Sequence, residues 1–163
     1  GTAYGNEVSF TTPVVSIGDT YEGGIVFYVD GTGGGMVAAP SDQSTGKGWG
    51  GYGTVTGATA TAIGTGQSNT TTIVAAIGTD TAAGLADGLT LNGYSDWFLP
   101  SEEELSLMYT NLKAAGLGSF ADTNYWASTE ASDNNARIIK FNDGSLSFAG
   151  KSGLNRVRAV REF

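Results

Sequence analysis

The sequence predicts an α+β fold in which two helices pack on small antiparallel sheets that are joined by long glycine-rich loops. One segment, residues 101–115, carries both the start signals and the apolar spacing of a helix. Several short runs between residues 24 and 163 alternate apolar and polar side chains, as strands do. The chain also contains 26 glycines among its 163 residues, which favours turns and loops.

The clearest predicted element is the helix that follows Pro100. Ser101 and Glu104 have the spacing of a capping box, in which each side chain accepts a hydrogen bond from the other residue's backbone N–H. Apolar side chains then recur with helical spacing at Leu105, Met108, Tyr109 and Leu112. Gly116 provides a natural end. The preceding residues 94–99 are predicted to enter the core, with Asp96 hydrogen-bonded to a loop.

Period-two runs predict two hairpins and further strands. The first hairpin joins strands at residues 24–29 and 36–39. The second joins residues 136–141 to residues 146–149 through Asn142–Ser145, which contains the Asp-Gly pair typical of tight turns. The other predicted strands are Tyr125–Glu130 and Asn155–Phe163, the latter with a bulge near Ala159, where the alternation slips.

The region between the first hairpin and the capped helix is predicted to be mostly loop. Residues 41–67 are rich in glycine, threonine and serine, and Trp49 and Tyr52 are expected to attach this loop to the body. Alternatively, the aromatic rings of Trp49 and Tyr52 could form a surface on which a sugar stacks. Short helical segments are predicted at residues 69–78 and 79–88, the first of them capped by Asn69 or Thr70.

Composition excludes several classes of function. The net charge of −8 argues against binding to nucleic acid or an anionic membrane, and no apolar run approaches the ~20 residues of a membrane span. The chain has no Cys and no His, which excludes disulfides, catalysis by those residues and an ordinary zinc site. Charge is uneven, because residues 125–163 carry +2 whereas residues 1–124 carry −10.

A hard metal ion is the one inorganic ligand that the composition leaves open. Calcium takes oxygen ligands, and Glu130, Asp133, Asn134 and Asn135 offer such oxygens close together in sequence. Their spacing does not match the loop of an EF-hand. We therefore predict no resident cofactor or metal, with calcium as the open alternative.

Five motifs occur in order along the chain. They are GGIVFY at residues 23–28, AAPSDQ at 38–43, LNGYSDWFLPS at 91–101, YWASTE at 125–130 and RVRAVR at 156–161. This set resembles the bacterial domain family typified by the C-terminal domain of the collagen-like adhesin Lcl. The resemblance implies a C-type lectin-like fold for residues 14–163, which would be extracellular or attached to the cell surface as part of a larger protein. Residues 1–13 resemble the last strand and linker of a preceding fibronectin-III-like repeat.

The family resemblance also implies adhesion or ligand binding. Some domains of this kind are variable proteins of diversity-generating retroelements, in which adenine-directed mutagenesis rewrites codons near the C-terminus, typically Asn codons. Asn134, Asn135, Asn142 and Asn155 fall in that region. Two features limit the analogy. The Glu-Pro-Asn and Trp-Asn-Asp motifs of calcium-dependent animal lectins are absent, and so are the cysteines of the related formylglycine-generating enzymes.

We therefore predict a non-enzymatic module that binds an unidentified protein or glycan on its C-terminal strands and loops. If the apolar residues of segment 136–150 face inward, most of their polar neighbours face water and are free to contact a ligand. The candidate ligand-binding residues are Asp133, Asn134, Asn135, Arg137, Lys140, Asn142, Ser145, Ser147, Lys151, Asn155 and Arg156. No catalytic residue is predicted.

Three alternatives to this interpretation remain open. The polar face could be no more than a solvated surface of the sheet. The domain could be a structural or oligomerising cap of a larger bacterial surface protein. It could also be a carboxylate-dependent hydrolase, for which the carboxylate pairs would be Asp96 with Glu104, or Glu130 with Asp133.

Overall fold

The computed structural model describes residues 14–163 and confirms an α+β fold. The predicted strand and linker at residues 1–13 lie outside the described residues. The rest forms a four-stranded sheet, a five-stranded sheet and three α-helices, because both short helical segments predicted before the capped helix form helices. The elements are β1 (Thr20–Tyr21), β2 (Gly24–Val29), β3 (Gly35–Ala38), β4 (Ser44–Gly48), α1 (Gly66–Ile77), α2 (Ala82–Asp87), α3 (Glu102–Met108), a π-helical turn (Tyr109–Lys113), β5 (Asn124–Glu130), β6 (Asn135–Lys140), β7 (Leu146–Gly150), β8 (Leu154–Val157) and β9 (Val160–Glu162).

The first sheet has the strand order β1-β2-β3-β9, and all of its pairs are antiparallel. It contains the predicted hairpin, in which Val26 lies opposite Val37. The turn after β2 is fixed by Asp30, whose carboxylate accepts hydrogen bonds from the backbone N–H groups of Thr32 and Gly34 at 2.7 and 3.0 Å. These bonds, led by the one from Thr32, lower the pKa of Asp30.

The second sheet has the strand order β4-β8-β5-β6-β7, in which β5 and β8 run parallel. Its β6–β7 hairpin is the second hairpin that the sequence predicts. Gly144 adopts a positive φ of 76° in the turn, and its N–H donates to Lys140 O at 2.7 Å. The Asp143 carboxylate accepts the Ser145 N–H at 2.8 Å. The Asp-Gly pair therefore closes this hairpin as its chemistry predicts.

The prediction of a single terminal strand at residues 155–163 is wrong. β8 pairs with β4 and β5 in the second sheet, whereas β9 pairs with β3 in the first. Between them, the Ala159 N–H donates to Gln43 Oε1 at 2.6 Å, and the Ala159 carbonyl accepts the Ala39 N–H. The slip in alternation near Ala159 marks the point at which the chain changes sheets.

The predicted capped helix is confirmed at its start and differs at its end. Ser101 and Glu104 form the complete capping box that begins α3. From Tyr109 the helix widens into a π-helical turn, in which the Ala114 N–H donates to Tyr109 O. The segment ends at Gly116, where φ is 75°. Trp97 and Phe98 are buried as expected.

The two earlier helices differ from the prediction in their start points. α1 begins at Gly66, because Asn69 and Thr70 are buried inside it and bind other segments instead of capping it. Asn69 Nδ2 donates to Ala60 O at 2.7 Å, and Thr70 Oγ1 accepts the Leu99 N–H at 3.0 Å. α2 is capped by Thr81, whose hydroxyl accepts the Gly84 N–H.

The segment at residues 41–67 contains one strand that the sequence analysis missed. β4 pairs with β8, and its composition of small and polar residues gives no alternating pattern. Trp49, directly after β4, is fully buried and donates its Nε1–H to Ala127 O at 2.9 Å. Trp49 therefore attaches the loop to the body as expected, whereas Tyr52 is 64% exposed.

The hydrophobic core forms two clusters that meet at the second sheet. Adjacent residues of a strand point to opposite faces, so Trp126 and Ile138 join one cluster while Tyr125 and Ile139 join the other. The centre of the sheet is therefore covered on both faces. β7, at the edge, extends beyond this cover, and it carries the exposed side chains of Leu146 and Phe148.

Candidate ligand-binding site

A shallow depression lies where β6 and β7 meet the loop between β5 and β6. Its volume is about 250 Å³, and its lining residues are Ala131, Ser132, Asn135, Arg137 and Phe148. The side chain of Phe148 is the main apolar surface here, since the residue is 60% exposed. An aromatic ring beside amide, hydroxyl and guanidinium groups is a combination that suits recognition of a partly polar ligand.

Arg137 lies directly across the sheet from Phe148. Residues opposite each other in an antiparallel pair have their side chains on the same face, so the guanidinium and the ring are neighbours. Arg137 Nε also lies 3.2 Å from Glu102 Oε2, the carboxylate oxygen that has no hydrogen-bond partner in residues 14–163. This ion pair orients the arginine from the start of α3, while its other donors are not bonded to side chains of the described residues.

The loop at residues 131–135 is held in shape by Ser132 and Asn135. Ser132 Oγ accepts the backbone N–H groups of Asn134 and Asn135 at 3.2 and 3.1 Å. The Asn135 carbonyl in turn accepts the N–H groups of Ala131 and Ser132. Asp133 and the depression therefore sit on a fixed turn, although this turn is exposed.

A buried ion pair fixes the glycine-rich loop beside this turn. Lys151 Nζ lies 2.5 Å from Glu130 Oε1 and 2.6 Å from Thr54 O, and it stands over the Trp49 ring at 4.7 Å. Glu130 also accepts the N–H groups of Thr56 and Gly57. Burial alone would raise the pKa of Glu130, but the hydrogen bonds from Lys151 and these amides outweigh it and lower the pKa.

The structure separates the eleven candidate residues into five places. Asn135 and Arg137 line the depression, and Asp133 and Asn134 lie in the turn beside it. Lys140, Asn142 and Ser145 lie at the opposite end of the hairpin, roughly 15–20 Å away along the strands. Asn155 and Arg156 lie on β8, three strands from β7, and Ser147 lies on the other face of the sheet, beside Ile138. Lys151 is fully buried.

Two expectations about this region are wrong. Lys151 cannot contact a ligand from the surface, because its side chain is fully buried in the ion pair with Glu130. Leu146 and Phe148 do not face inward, since they are 47% and 60% exposed. Period two alone cannot show this, because alternation separates the two faces of an edge strand without indicating which of them is covered.

The basic residues of the C-terminal region do not form a basic surface. Arg156 and Arg158 both bind Asp42 at 2.7 Å, and Arg161 binds Asp96 with two hydrogen bonds. In all, seven of the eight Lys and Arg side chains form ion pairs, and none is fully exposed. The exposed charged residues between 14 and 163 are all acidic, namely Asp19, Asp30, Asp80, Asp87, Asp96, Glu103, Asp122, Asp133, Asp143 and Glu162.

Of the carboxylates considered for catalysis or calcium, all but the exposed Asp133 have structural partners. Asp96 is bound by Arg161, which lowers the pKa of Asp96. Glu104 accepts the N–H groups of Gly64, Gly66 and Ser101, although burial raises the pKa of Glu104. Among residues 14–163 no three Asp or Glu side chains are grouped as a metal site requires. The oxygen atoms of Glu130 are held by Lys151 and backbone amides.

The model of the Lcl C-terminal domain family matches residues 39–161, which is well over half of the chain. The chain belongs to the Lcl C-terminal domain family. The matched part runs from the end of β3 to β9 and contains the whole second sheet, the depression and the buried Lys151–Glu130 pair. No curated protein matches the chain.

Membership of the Lcl C-terminal domain family identifies an adhesin-like bacterial domain, of the kind found in larger surface proteins. Within residues 14–163, no helix has the length and apolarity to cross a bilayer. The fold and family together agree with the sequence prediction at this coarse level. Family membership does not give the ligand or its binding site.

Proposed function

We propose that this Lcl C-terminal domain is a non-enzymatic binding module with a C-type lectin-like fold, and that its ligand contacts the depression around Arg137 and Phe148. One observation carries the proposal. A large aromatic side chain is 60% exposed beside a guanidinium that an ion pair holds in place, at the rim of a concave surface. The pairing of β9 with β3, which joins the two ends of the described chain in one sheet, supports the fold assignment.

The shape and charge of the surface limit the class of ligand. The depression is smaller than the roughly 300–1,000 Å³ of most small-molecule sites, and it is open to solvent. It therefore suits the projecting part of a larger ligand, such as a protein loop or the edge of a sugar. The charged residues of 14–163 that are exposed are all acidic, and the Lys and Arg residues are at least partly buried, which disfavours polyanions such as nucleic acid or sulfated glycans.

The proposed role is not enzymatic, and the partners and burial of the carboxylates support this. General acid–base catalysis needs a carboxylate that can reach a substrate. Asp96 and Glu130 are both held by cationic side chains, and Glu104 is fully buried as the capping residue of α3. The depression itself is lined by amide, hydroxyl, guanidinium and apolar groups.

The experiment that tests the proposal compares two variants on protein and glycan arrays. Phe148→Ser removes the exposed ring, and Leu154→Ser is the matched control, because Leu154 is 73% exposed but lies on β8. We expect a ligand whose binding weakens at least tenfold with Phe148→Ser and stays unchanged with Leu154→Ser. The absence of any ligand, or a ligand that both variants bind as the wild type does, would overturn the proposal.

Diversification by a retroelement remains a prediction with its own test. Of the four Asn residues named for it, Asn135 lines the depression and Asn134 is its neighbour in the same turn, while Asn142 and Asn155 lie elsewhere. The neighbouring DNA decides the question. We expect a near-identical repeat that differs at adenines and lies beside a reverse transcriptase gene, and a genome without such a repeat would contradict the prediction.

A further inference from the structure

The outer strand β7 leaves a row of backbone groups unpaired. Antiparallel neighbours alternate between hydrogen-bonded and non-hydrogen-bonded pairs. Lys140 N donates to Ser145 O at 3.0 Å at one end of the hairpin, and Lys151 N donates to Asn134 O at 2.8 Å at the other. Because every second residue between these two bonds is hydrogen-bonded to β6, Ser147 and Ala149 bond β6 through their backbone groups. The backbone N–H and C=O groups of Leu146 and Phe148 therefore point to the free edge.

The same two residues also present apolar side chains. Leu146 and Phe148 are 47% and 60% exposed on one face, the face that carries Arg137. No strand formed by residues 14–163 pairs with this edge. An added strand would therefore gain hydrogen bonds from the backbone and apolar contacts from the side chains at the same positions.

The other edge of the same sheet is protected, and β7 is not. Sheets usually guard their edges with charged residues, proline or a bulge. β4 carries Lys47 and has a register irregularity between Ser44 and Lys47. The five residues of β7, LSFAG, include no charge and no proline. An unprotected edge of this kind can pair with a strand of another chain.

The surrounding charge indicates what kind of chain fits. Asp133 and Asp143 are exposed near the two ends of β7, whereas Arg137 and Lys140 of the neighbouring β6 are only partly exposed and Arg137 is paired with Glu102. A second copy of this domain, with a net charge of −8, would be repelled. A segment with lysine or arginine would be attracted instead.

We propose that β7 binds an extended, cationic segment of a partner protein, which adds to the second sheet as a sixth strand. This inference rests on the proposed binding function and names the class of partner. Apolar side chains of the added strand would lie beside Leu146 and Phe148, and its basic side chains would be near Asp133 and Asp143.

The experiment selects random 12-residue peptides, displayed on phage, for binding to the 163-residue chain. We expect enriched peptides to alternate β-branched or aromatic residues with Lys or Arg. A synthetic copy of the most enriched peptide should slow amide hydrogen exchange at Leu146 and Phe148 at least tenfold. Exchange at Ser147 and Ala149, whose amides already bond β6, should change little.

Two substitutions at one position separate backbone pairing from side-chain contact. Leu146→Pro and Leu146→Thr both remove the leucine, but only proline removes the outward N–H. We expect the peptide to bind Leu146→Thr within about threefold of the wild type and to lose at least tenfold affinity for Leu146→Pro. Leu146→Lys gives a second test, because its charge should repel the peptide without removing the N–H.

Several outcomes would overturn strand addition. They are a failure to enrich any peptide, enrichment of acidic peptides, equal binding to Leu146→Pro and Leu146→Thr, or protection at residues outside β7. Dimerisation of the free protein in light scattering would assign the edge to a second copy and would also overturn it. An array ligand that is sensitive to Phe148→Ser but not to Leu146→Pro would leave the proposed function intact.

Discussion

Two regions within the last 39 residues orient their side chains in opposite directions. In the segment from Lys151 to Arg161, basic side chains turn inward and bind carboxylates of the body. In β7, the apolar side chains of Leu146 and Phe148 turn outward. The basic side chains at the C-terminus therefore hold the fold together, and the exposed apolar residues of β7 lie on the surface that we propose for binding.

Among the inward-facing basic residues, Lys151 is the one whose substitution should lower the unfolding free energy most. Lys151→Met keeps most of the side chain against Trp49 but leaves the buried carboxylate of Glu130 without its cation. Breaking a buried ion pair in this way costs about 3–5 kcal/mol of unfolding free energy. Urea denaturation measures this cost. Lys140→Met, at a lysine without an ion pair in the described residues, is the control, and we expect it to change stability by less than about 0.5 kcal/mol.

The same ion pair predicts a dependence of stability on pH. The pKa of Glu130 is lowered in the folded state, so its contribution is complete above its ordinary value of 4.5 and is lost as the pH falls through the folded-state pKa. Glu130→Gln removes this titration. The difference in unfolding free energy between the wild type and Glu130→Gln should therefore narrow below pH 4.5, and a constant difference between pH 7 and pH 3 would contradict the assignment.

The capping box of α3 predicts a smaller loss. Ser101→Ala removes the acceptor of the Glu104 N–H and the hydroxyl that donates to Ala62 O at 3.0 Å. The expected cost is about 1–2 kcal/mol, at the upper part of the range for a helix cap. Ser106→Ala is the matched control within α3, because the Ser106 hydroxyl bonds only the preceding turn, and thermal unfolding should detect little change.

The outward-facing region predicts the smallest effect on stability. Phe148→Ser should change the unfolding free energy by less than about 0.5 kcal/mol, because the ring is 60% exposed. The same substitution is expected to weaken ligand binding at least tenfold, so it separates a binding role from a structural one. A loss of more than about 1.5 kcal/mol in urea denaturation would mean that Phe148 belongs to the core after all.

Local chemistry is the part of this molecule that the sequence predicts well. The Ser101–Glu104 capping box and the Asp143–Gly144 turn depend on residues close together in the chain, and both form as predicted. β4 was missed because its pairing with β8 joins residues more than a hundred positions apart, and STGKG shows no alternation. The change of sheet at Ala159 depends on Gln43, which is equally distant in sequence.

The candidate site was only partly predictable, because part of it also depends on contacts between residues far apart in the sequence. The closeness of Asp133, Asn134, Asn135 and Arg137 follows from the sequence, since a turn and a strand start bring them together locally, while their role in ligand binding stays a prediction. Lys151 was assigned to the surface, because its burial depends on Glu130 and on the loop at Thr54. Phe148 was assigned to the interior, because only the extent of the second sheet reveals that its edge strand lies beyond the core.

The inward orientation of the cations has a consequence for proteolysis. Trypsin-like proteases cut after lysine or arginine, and they need the chain around that residue to be accessible and extended. In this domain all eight such residues are at least partly buried, and seven are held by a carboxylate. The folded domain therefore offers such enzymes few points of attack, and its rate of cleavage by trypsin should follow the rate or extent of its unfolding.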